Sequence, residues 1–214
     1  MGLADMRRSY DGTPLTEADL HEDPIVQVAR WVAEAHDELK DATEVNAMAV
    51  ATADARGRPS VRMALLKDLD ERGLVFYTNL DSRKGREIRE NPYASLCLHW
   101  QPVYRQIRVS GPVVEVSREE VDAYFAGRPP DSKRGAWASE QSAPIADRAA
   151  IEARMEELGR RFPDDDAIPT PTNWGGFRVE PDEIELWQGR PDRLHDRFLW
   201  TREGDGWTRV RLQP

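Results

Sequence analysis

Three short apolar segments joined by two tight turns constrain this chain most. NAMAVATAD, SVRMALLKD and LVFYTN are separated by ARGRP and LDERG alone. Each run has strand length, and each connection is rich in Gly, Pro or Asp. A parallel crossover needs a dozen or more residues, so such short links make the strands antiparallel neighbours. YASLCLHW and YRQIRVSGPVVEVS read as two more strands. WGGFRVEPDEIELWQG reads as a pair broken at Glu180-Pro181, and HDRFLWTREGDGWTRVRL as a closing hairpin turning at Gly204-Asp205-Gly206.

Helical signals lie between these strands. From Asp23, Ile25, Val28, Trp31, Val32 and Ala35 recur at helical spacing, with Pro24 at a first-turn position. DSRKGREIREN is a short helix capped by Asp81 or Ser82. SREEVDAYFAGRP opens with a Ser117–Glu120 capping box and closes at Gly127. DSKRGAWASEQS and DRAAIEARMEELGRRF are further helices, and PDDDAIPTPTN is a loop. The expected architecture is α+β: one mostly antiparallel, closed or half-closed sheet with flanking helices. Residues 1–22 are polar and irregular, which leaves 23–214 as the folded domain.

The 214 residues carry a net charge of −9, which argues against a nucleic-acid polymer as ligand. No apolar run spans a bilayer and no signal core is seen, so a cytoplasmic protein is expected. Cys97, the sole cysteine, excludes an internal disulfide and reads as a buried small hydrophobe. The four histidines are scattered without metal-ligand spacing, so no metal is expected.

Against that acidic background the local cations stand out. Arg83 and Lys84 occupy the first turn of a helix, where the helix dipole disfavours them unless an anion binds there. Tyr77 and Thr78 end the preceding strand beside them. Arg62 and Lys67 bracket one strand and need a bulge or strand end to face one ligand. Gln106, Gln141 and Ser142 are polar groups able to read a flat ligand. In RPDRLHDRFLW, Arg193, His195 and Arg197 alternate, so an extended chain would present them on one face, with Trp187 as an apolar wall. A surface stripe paired with Asp192 and Asp196 is the plainer reading, weighed lower because His195 interrupts the row. No glycine-rich phosphate loop is present, which leaves a mononucleotide or a phosphorylated small molecule.

Taken in order, RRSY, NAMAVAT, RMALLKD, FYTNLDSRKGREI, YRQIRVSG, YFAGRPPDSKRGAWAS, NWGGFRV, IELWQG, RLHDRF and RLQP resemble the pyridoxine/pyridoxamine 5′-phosphate oxidase family over nearly the whole chain. The resemblance implies an FMN-binding split β-barrel working as a homodimer, with FMN between the subunits. It implies oxidation of pyridoxamine or pyridoxine 5′-phosphate to pyridoxal 5′-phosphate by O2, releasing hydrogen peroxide, and ammonia from the amine. By the same resemblance, FMN contacts are Arg62, Met63, Ala64, Leu65, Leu66, Lys67, Tyr77, Thr78, Arg83, Lys84, Gln106, Gln141, Ser142, Trp187 and Arg197. The substrate phosphate meets Lys67, Tyr124, Arg128 and Ser132. Arg193 and His195 lie over the reacting ring, and Arg8 and Tyr10 act from an N-terminal lid. Two other functions compete: a flavin oxidase of the same fold acting on phenazine precursors, and a non-catalytic carrier of FMN or pyridoxal phosphate.

Overall fold

The structure, a computed structural model, describes residues 2–6 and 9–214. Its first long element is α1 (Pro24–Leu39), opened by Asp23, whose carboxylate accepts the Ile25 N–H at 2.8 Å. Its apolar stripe, Ile25, Val28, Trp31, Ala35 and Leu39, is buried in the main core. β1 (Ala47–Ala53) and β2 (Pro59–Leu65) then form the expected hairpin. β2 stops before Lys67, and a separate short β3 (Asp68–Asp70) turns into β4 (Gly73–Asn79). α2 (Arg83–Glu90) follows at once; of the two candidate caps Ser82 is the one used, its hydroxyl accepting the Gly85 N–H.

β5 (Tyr93–Trp100) and β6 (Arg105–Glu115) complete the first half. Three helices come next: α3 (Arg118–Ala126), α4 (Pro130–Ala138) and α5 (Arg148–Arg161). The Ser117–Glu120 capping box forms as expected on α3. β7 (Trp174–Val179), β8 (Glu183–Gln188), β9 (Asp196–Glu203) and β10 (Gly206–Leu212) end the chain.

β6 is the hinge of the architecture. Its first half, Arg105–Ser110, pairs with β8, and its last residues, Val113–Glu115, pair with β7. The switch falls at Gly111-Pro112, opposite Glu180-Pro181. A Cβ on Gly111 would overlap the Glu180 carbonyl oxygen, so only glycine lets the two strands cross there. One branch runs β1–β5–β6–β7–β4 and returns to the end of β2, where the Lys67 N–H donates to the Val75 carbonyl at 2.9 Å. That ring curls around Met48, Val50, Phe76, Leu96, Leu98, Ile107 and Phe177. The other branch extends through β8, β9 and β10. The result is a half-closed antiparallel barrel with an open wing.

Strand alternation gives this sheet two unlike faces. Leu96, Leu98, Ile107, Val109, Ile184, Leu186, Phe198 and Trp200 fill the inner one. Cys97 falls on the outer face opposite Arg108, half-buried rather than in the core as expected, because its register is odd relative to Leu96 and Leu98. That outer face carries Val61 at 68% and Met63 at 66% exposure.

Candidate functional site

β4 delivers Tyr77 and Thr78 to the mouth of a cleft, and α2 starts only four residues after Asn79. Lys84 is buried there and donates from Nζ to Thr78 Oγ1 at 2.8 Å and to Gln141 Oε1 at 3.0 Å. Burial, then the charge of Arg62, pulls its pKa down to about 8. A cation so held lacks a counter-charge, which is what an incoming anion supplies. Arg62, Met63, Arg83, Lys84, Gln141 and Ser142 line this end, a hollow of about 420 Å³. The Arg83 N–H donates to Ser142 Oγ at 3.2 Å, and Ser142 adopts φ of 74°.

Beneath the cations lies Glu87, which sequence reading did not single out. It is buried and accepts from Arg83 Nε at 2.7 Å, from Arg62 Nη2 at 3.1 Å, and from the Thr52 and Ser60 hydroxyls. Burial alone would raise its pKa, but these four donors hold it down to about 2. One carboxylate therefore aims two guanidinium groups. Its spacing four residues after Arg83 on a helix was the available signal.

The cleft continues past Met63, Ala64, Leu65 and Lys67 to Tyr77, Tyr124 and Arg128. Beyond them it opens into a hollow of about 390 Å³, reaching Ser132, Gln141 and Trp174. Tyr77, Tyr124 and Trp174 stack nearly parallel, Tyr77 to Tyr124 at 4.0 Å and Tyr77 to Trp174 at 5.5 Å. Arg128 lies 4.6 Å from the Trp174 ring. Its Nη2 donates to the Ser132 carbonyl at 3.1 Å, while its buried Nε has no partner among the described residues. Burial lowers its pKa from the usual arginine value. Trp174 was not anticipated; nothing local distinguishes it from a core aromatic.

Leu66 is the exception in this segment. Its side chain joins the core, its N–H donates to the Asn46 carbonyl at 2.8 Å, and its carbonyl accepts from Asn46 Nδ2 at 2.9 Å. It therefore presents no group to the cleft. Lys67 reaches the cleft because β2 ends at Leu65, which removes the strand alternation that would have turned it away from Arg62.

The remaining candidates gather elsewhere. Gln106, Trp187 and Arg197 are direct register partners across β6, β8 and β9, so they form one row on the outer face. Arg197 donates from Nε to the buried Glu185 at 2.8 Å. Trp187 lies 4.5 Å from the His195 ring, and Tyr10 lies 5.8 Å from it. Arg193 departs from the expected extended row. Pro191–Arg193 is a 3-10 turn in which Asp192 and Arg193 take φ of 56° and 62°. Proline at the start of that turn sets its φ and interrupts the strand, which begins only at Asp196. Arg193 is thus exposed at a loop tip, without an ion pair among the described residues. Of the acids weighed as partners for this stretch, Asp196 is engaged, by Arg190 and Arg211.

His195 is oriented by one bond: the Arg190 N–H donates to Nδ1 at 3.1 Å. A backbone N–H can only donate, so Nδ1 accepts and the neutral ring carries its proton on Nε2. Burial first, then Arg193 and Arg197, lower its pKa, with Asp196 opposing. Arg8 lies outside the described residues.

The candidates thus form two groups, one in the cleft and one on the open wing. Comparison with known proteins bears on both. The family model described as "Pyridoxamine 5'-phosphate oxidase" matches residues 34–161. A second, described as "Pyridoxine 5'-phosphate oxidase C-terminal dimerisation region", matches residues 174–214, which supply β7 of the ring and all three strands of the wing. The chain is 52% identical over 213 residues to the pyridoxine/pyridoxamine 5′-phosphate oxidase of Paraburkholderia phymatum, covering 99% of each. Among solved structures it is similar to PhzG from Burkholderia lata 383 in complex with tetrahydrophenazine-1-carboxylic acid. That similarity has a TM-score of 0.88 and 36% identity, over 97% of this chain and 100% of the other. A pyridoxamine 5′-phosphate oxidase-related, FMN-binding protein from Nostoc punctiforme shares the fold at a TM-score of 0.72 and 19% identity, over 91% of this chain and 100% of the other. The half-closed barrel is therefore the split barrel of these proteins, and with family models over residues 34–161 and 174–214 and 52% identity over 99% of its length, the chain belongs to the pyridoxine/pyridoxamine 5′-phosphate oxidase family of oxidoreductases.

Proposed function

We propose that this chain is an FMN-dependent oxidase that converts pyridoxamine or pyridoxine 5′-phosphate to pyridoxal 5′-phosphate. O2 is the acceptor, hydrogen peroxide is released, and the amine substrate also yields ammonia. The observation that carries the reading is a single cleft with cations at two separate positions. Arg62, Arg83 and Lys84 stand at one end, Lys67 and Arg128 at the other, and Lys84 and Gln141 line the passage between. Such a cleft suits two phosphate esters side by side, one on the cofactor and one on the substrate.

The residues fit FMN. Lys84 is buried with neutral acceptors only, Arg83 and Arg62 are fixed by Glu87, and Ser142 offers a hydroxyl at the start of α2. These groups would hold its phosphate, and Met63, Ala64, Leu65, Tyr77, Thr78 and Gln141 would flank its ring system. The chemistry supplied by bound FMN is two-electron oxidation of the substrate followed by return of the electrons to O2. The protein's part is to bind, orient and exclude water. Arg128, Lys67, Tyr124 and Ser132 anchor the substrate phosphate. The stacked Tyr77, Tyr124 and Trp174 wall off solvent. His195 offers Nε2–H as a fixed donor to the substrate, and Arg193 supplies a positive charge near its reacting carbon. With the amine, water then hydrolyses the imine product to aldehyde and ammonia.

A homodimer follows from the division of the site. Gln106, Trp187, His195 and Arg197 sit on the wing of one copy, and we infer that they complete the cleft of a second. The uncovered outer face, with Val61, Met63 and Val210 exposed, supports this as an apolar contact surface. Residues 1–22 serve as a covering segment over the single domain 23–214. Among the described residues no helix is long and apolar enough to cross a membrane.

The direct experiment is aerobic turnover with added FMN, given pyridoxamine 5′-phosphate and, separately, pyridoxamine. Aldehyde and peroxide are expected together, from the phosphorylated amine alone. Flavin binding without either product would move the search to phenazine-type substrates or to a carrier role.

Lys84 adds a pH signature. With its pKa near 8 in the free protein, the charged form is present below that pH and lost above it. Phosphate binding raises the pKa, so FMN affinity is expected to hold steady between about pH 6 and pH 8. Above that it weakens by up to about tenfold per pH unit. The phosphate itself is already a dianion there, its second pKa being about 6. Titration of flavin fluorescence should show this slope in the native protein and its absence in Lys84→Met; equal slopes would remove Lys84 from the phosphate site.

A further inference from the structure

The segment from Tyr10 to Glu17 crosses the end of the wing and meets one carboxylate there. Asp196 opens β9 between His195 and Arg197. Its Oδ2 accepts the Leu15 N–H at 3.1 Å and faces Arg190 Nε at 3.6 Å; its Oδ1 accepts from Arg211 Nη1 at 2.8 Å. Both arginines also hold the segment directly. Arg211 donates from Nη2 to the Leu15 carbonyl at 3.3 Å and from Nε to Glu17 at 3.1 Å, and Arg190 donates from Nη1 to the Gly12 carbonyl. Gly12 itself is pressed against β8: a Cβ there would come within 2.5 Å of the Gly189 carbonyl oxygen and would overlap Gln188 Nε2. So docked, the segment sets the Tyr10 ring 4.9 Å from Tyr104 and 5.8 Å from His195.

Arg190 links the two halves of this arrangement. Its backbone N–H fixes His195 Nδ1, and its guanidinium binds both Gly12 and Asp196. We propose that Asp196 is a positioning residue for the reaction: it latches residues 10–15 onto the wing and so sets Tyr10 against His195 for substrate capture. This rests on the oxidase function proposed above. Asp196 does not line the cleft, and its hydrogen-bond and ion-pair partners are the segment and the two arginines that hold it.

The latch acts on a population. If loss of Asp196 leaves the segment docked in about one molecule in ten, the apparent affinity for substrate falls about tenfold. Bound substrate redocks the segment, so turnover at saturation is preserved. Asp196→Asn is expected to raise KM for pyridoxamine 5′-phosphate about tenfold, with kcat within about twofold and FMN affinity unchanged. Gly12→Ala, which disrupts docking without touching Asp196, should give the same split. Amide hydrogen exchange in residues 10–17 should quicken in both variants, while β5 and β6 keep their protection. Three outcomes overturn the latch: unchanged exchange in that segment, unchanged KM despite faster exchange, or a loss confined to kcat. Absence of turnover in the unmodified protein would instead defeat the proposed oxidase, and exchange in the two variants would then decide the latch by itself.

Discussion

Replacement of Arg83 and Lys84 together by alanine is expected to yield a protein that purifies without flavin. Hydrogen bonds from charged donors contribute about 1.5–3 kcal/mol each, so losing two weakens FMN binding by about 3–6 kcal/mol, or roughly 10² to 10⁴-fold. The fold should survive. α2 is anchored by Ile88 in the core and capped by Ser82, and neither depends on these side chains. Thr78 and Gln141 keep their mutual hydrogen bond at 2.9 Å when Lys84 is removed. Visible absorbance of the purified protein and a calorimetric FMN titration measure the effect, with thermal unfolding as the check on folding. A double variant that retains its full flavin would show that the phosphate lies elsewhere.

Arg128→Met tests the other end of the cleft. The native Nε is buried with no partner among the described residues, so the guanidinium bears a desolvation cost that an oxyanion would relieve. Methionine keeps the apolar contact with Trp174 and removes the charge. The expected result is a fall of about 10- to 150-fold in kcat/KM for pyridoxamine 5′-phosphate, equivalent to about 1.5–3 kcal/mol. The rate with unphosphorylated pyridoxamine, already poor, should hardly change. The decisive quantity is the ratio of the two. A variant as selective for the phosphate as the native protein would remove Arg128 from substrate recognition.

Much of the fold was legible because local and tertiary preferences agree. Asp23-Pro24, Ser82 and the Ser117–Glu120 box open their helices as elementary capping chemistry requires. The break at Glu180-Pro181 was visible too, although its purpose was not. It is the place where the partner of β6 changes from β8 to β7, and Gly111 across the gap makes that change sterically possible. Cys97 shows the limit of an apolar-run argument. ASLCLHW reads as uniformly apolar, but a strand has two faces, and register alone assigns Cys97 to the outer one.

The candidate site divides in the same way. The unfavourable cations at the start of α2 could be read directly, because helix electrostatics act within one turn of sequence. Glu87 was overlooked because its value lies in touching Arg62, which is 25 residues away in the chain. Trp174 was overlooked for a similar reason: it belongs to the site only through its stack on Tyr77 and Tyr124.

By itself, then, the sequence determined the strands and helices, their antiparallel pairing and the presence of anion-seeking clusters, since each depends on spacing, turn length or capping within a few residues. Only the tertiary structure decided which clusters share a cleft, which acid aims which arginine, and that Arg193 stands at a turn while Gln106, Trp187 and Arg197 form one row. Those outcomes depend on strand register and on contacts between distant segments. A single proline or glycine can redirect such contacts without leaving any trace in the periodicity of the chain.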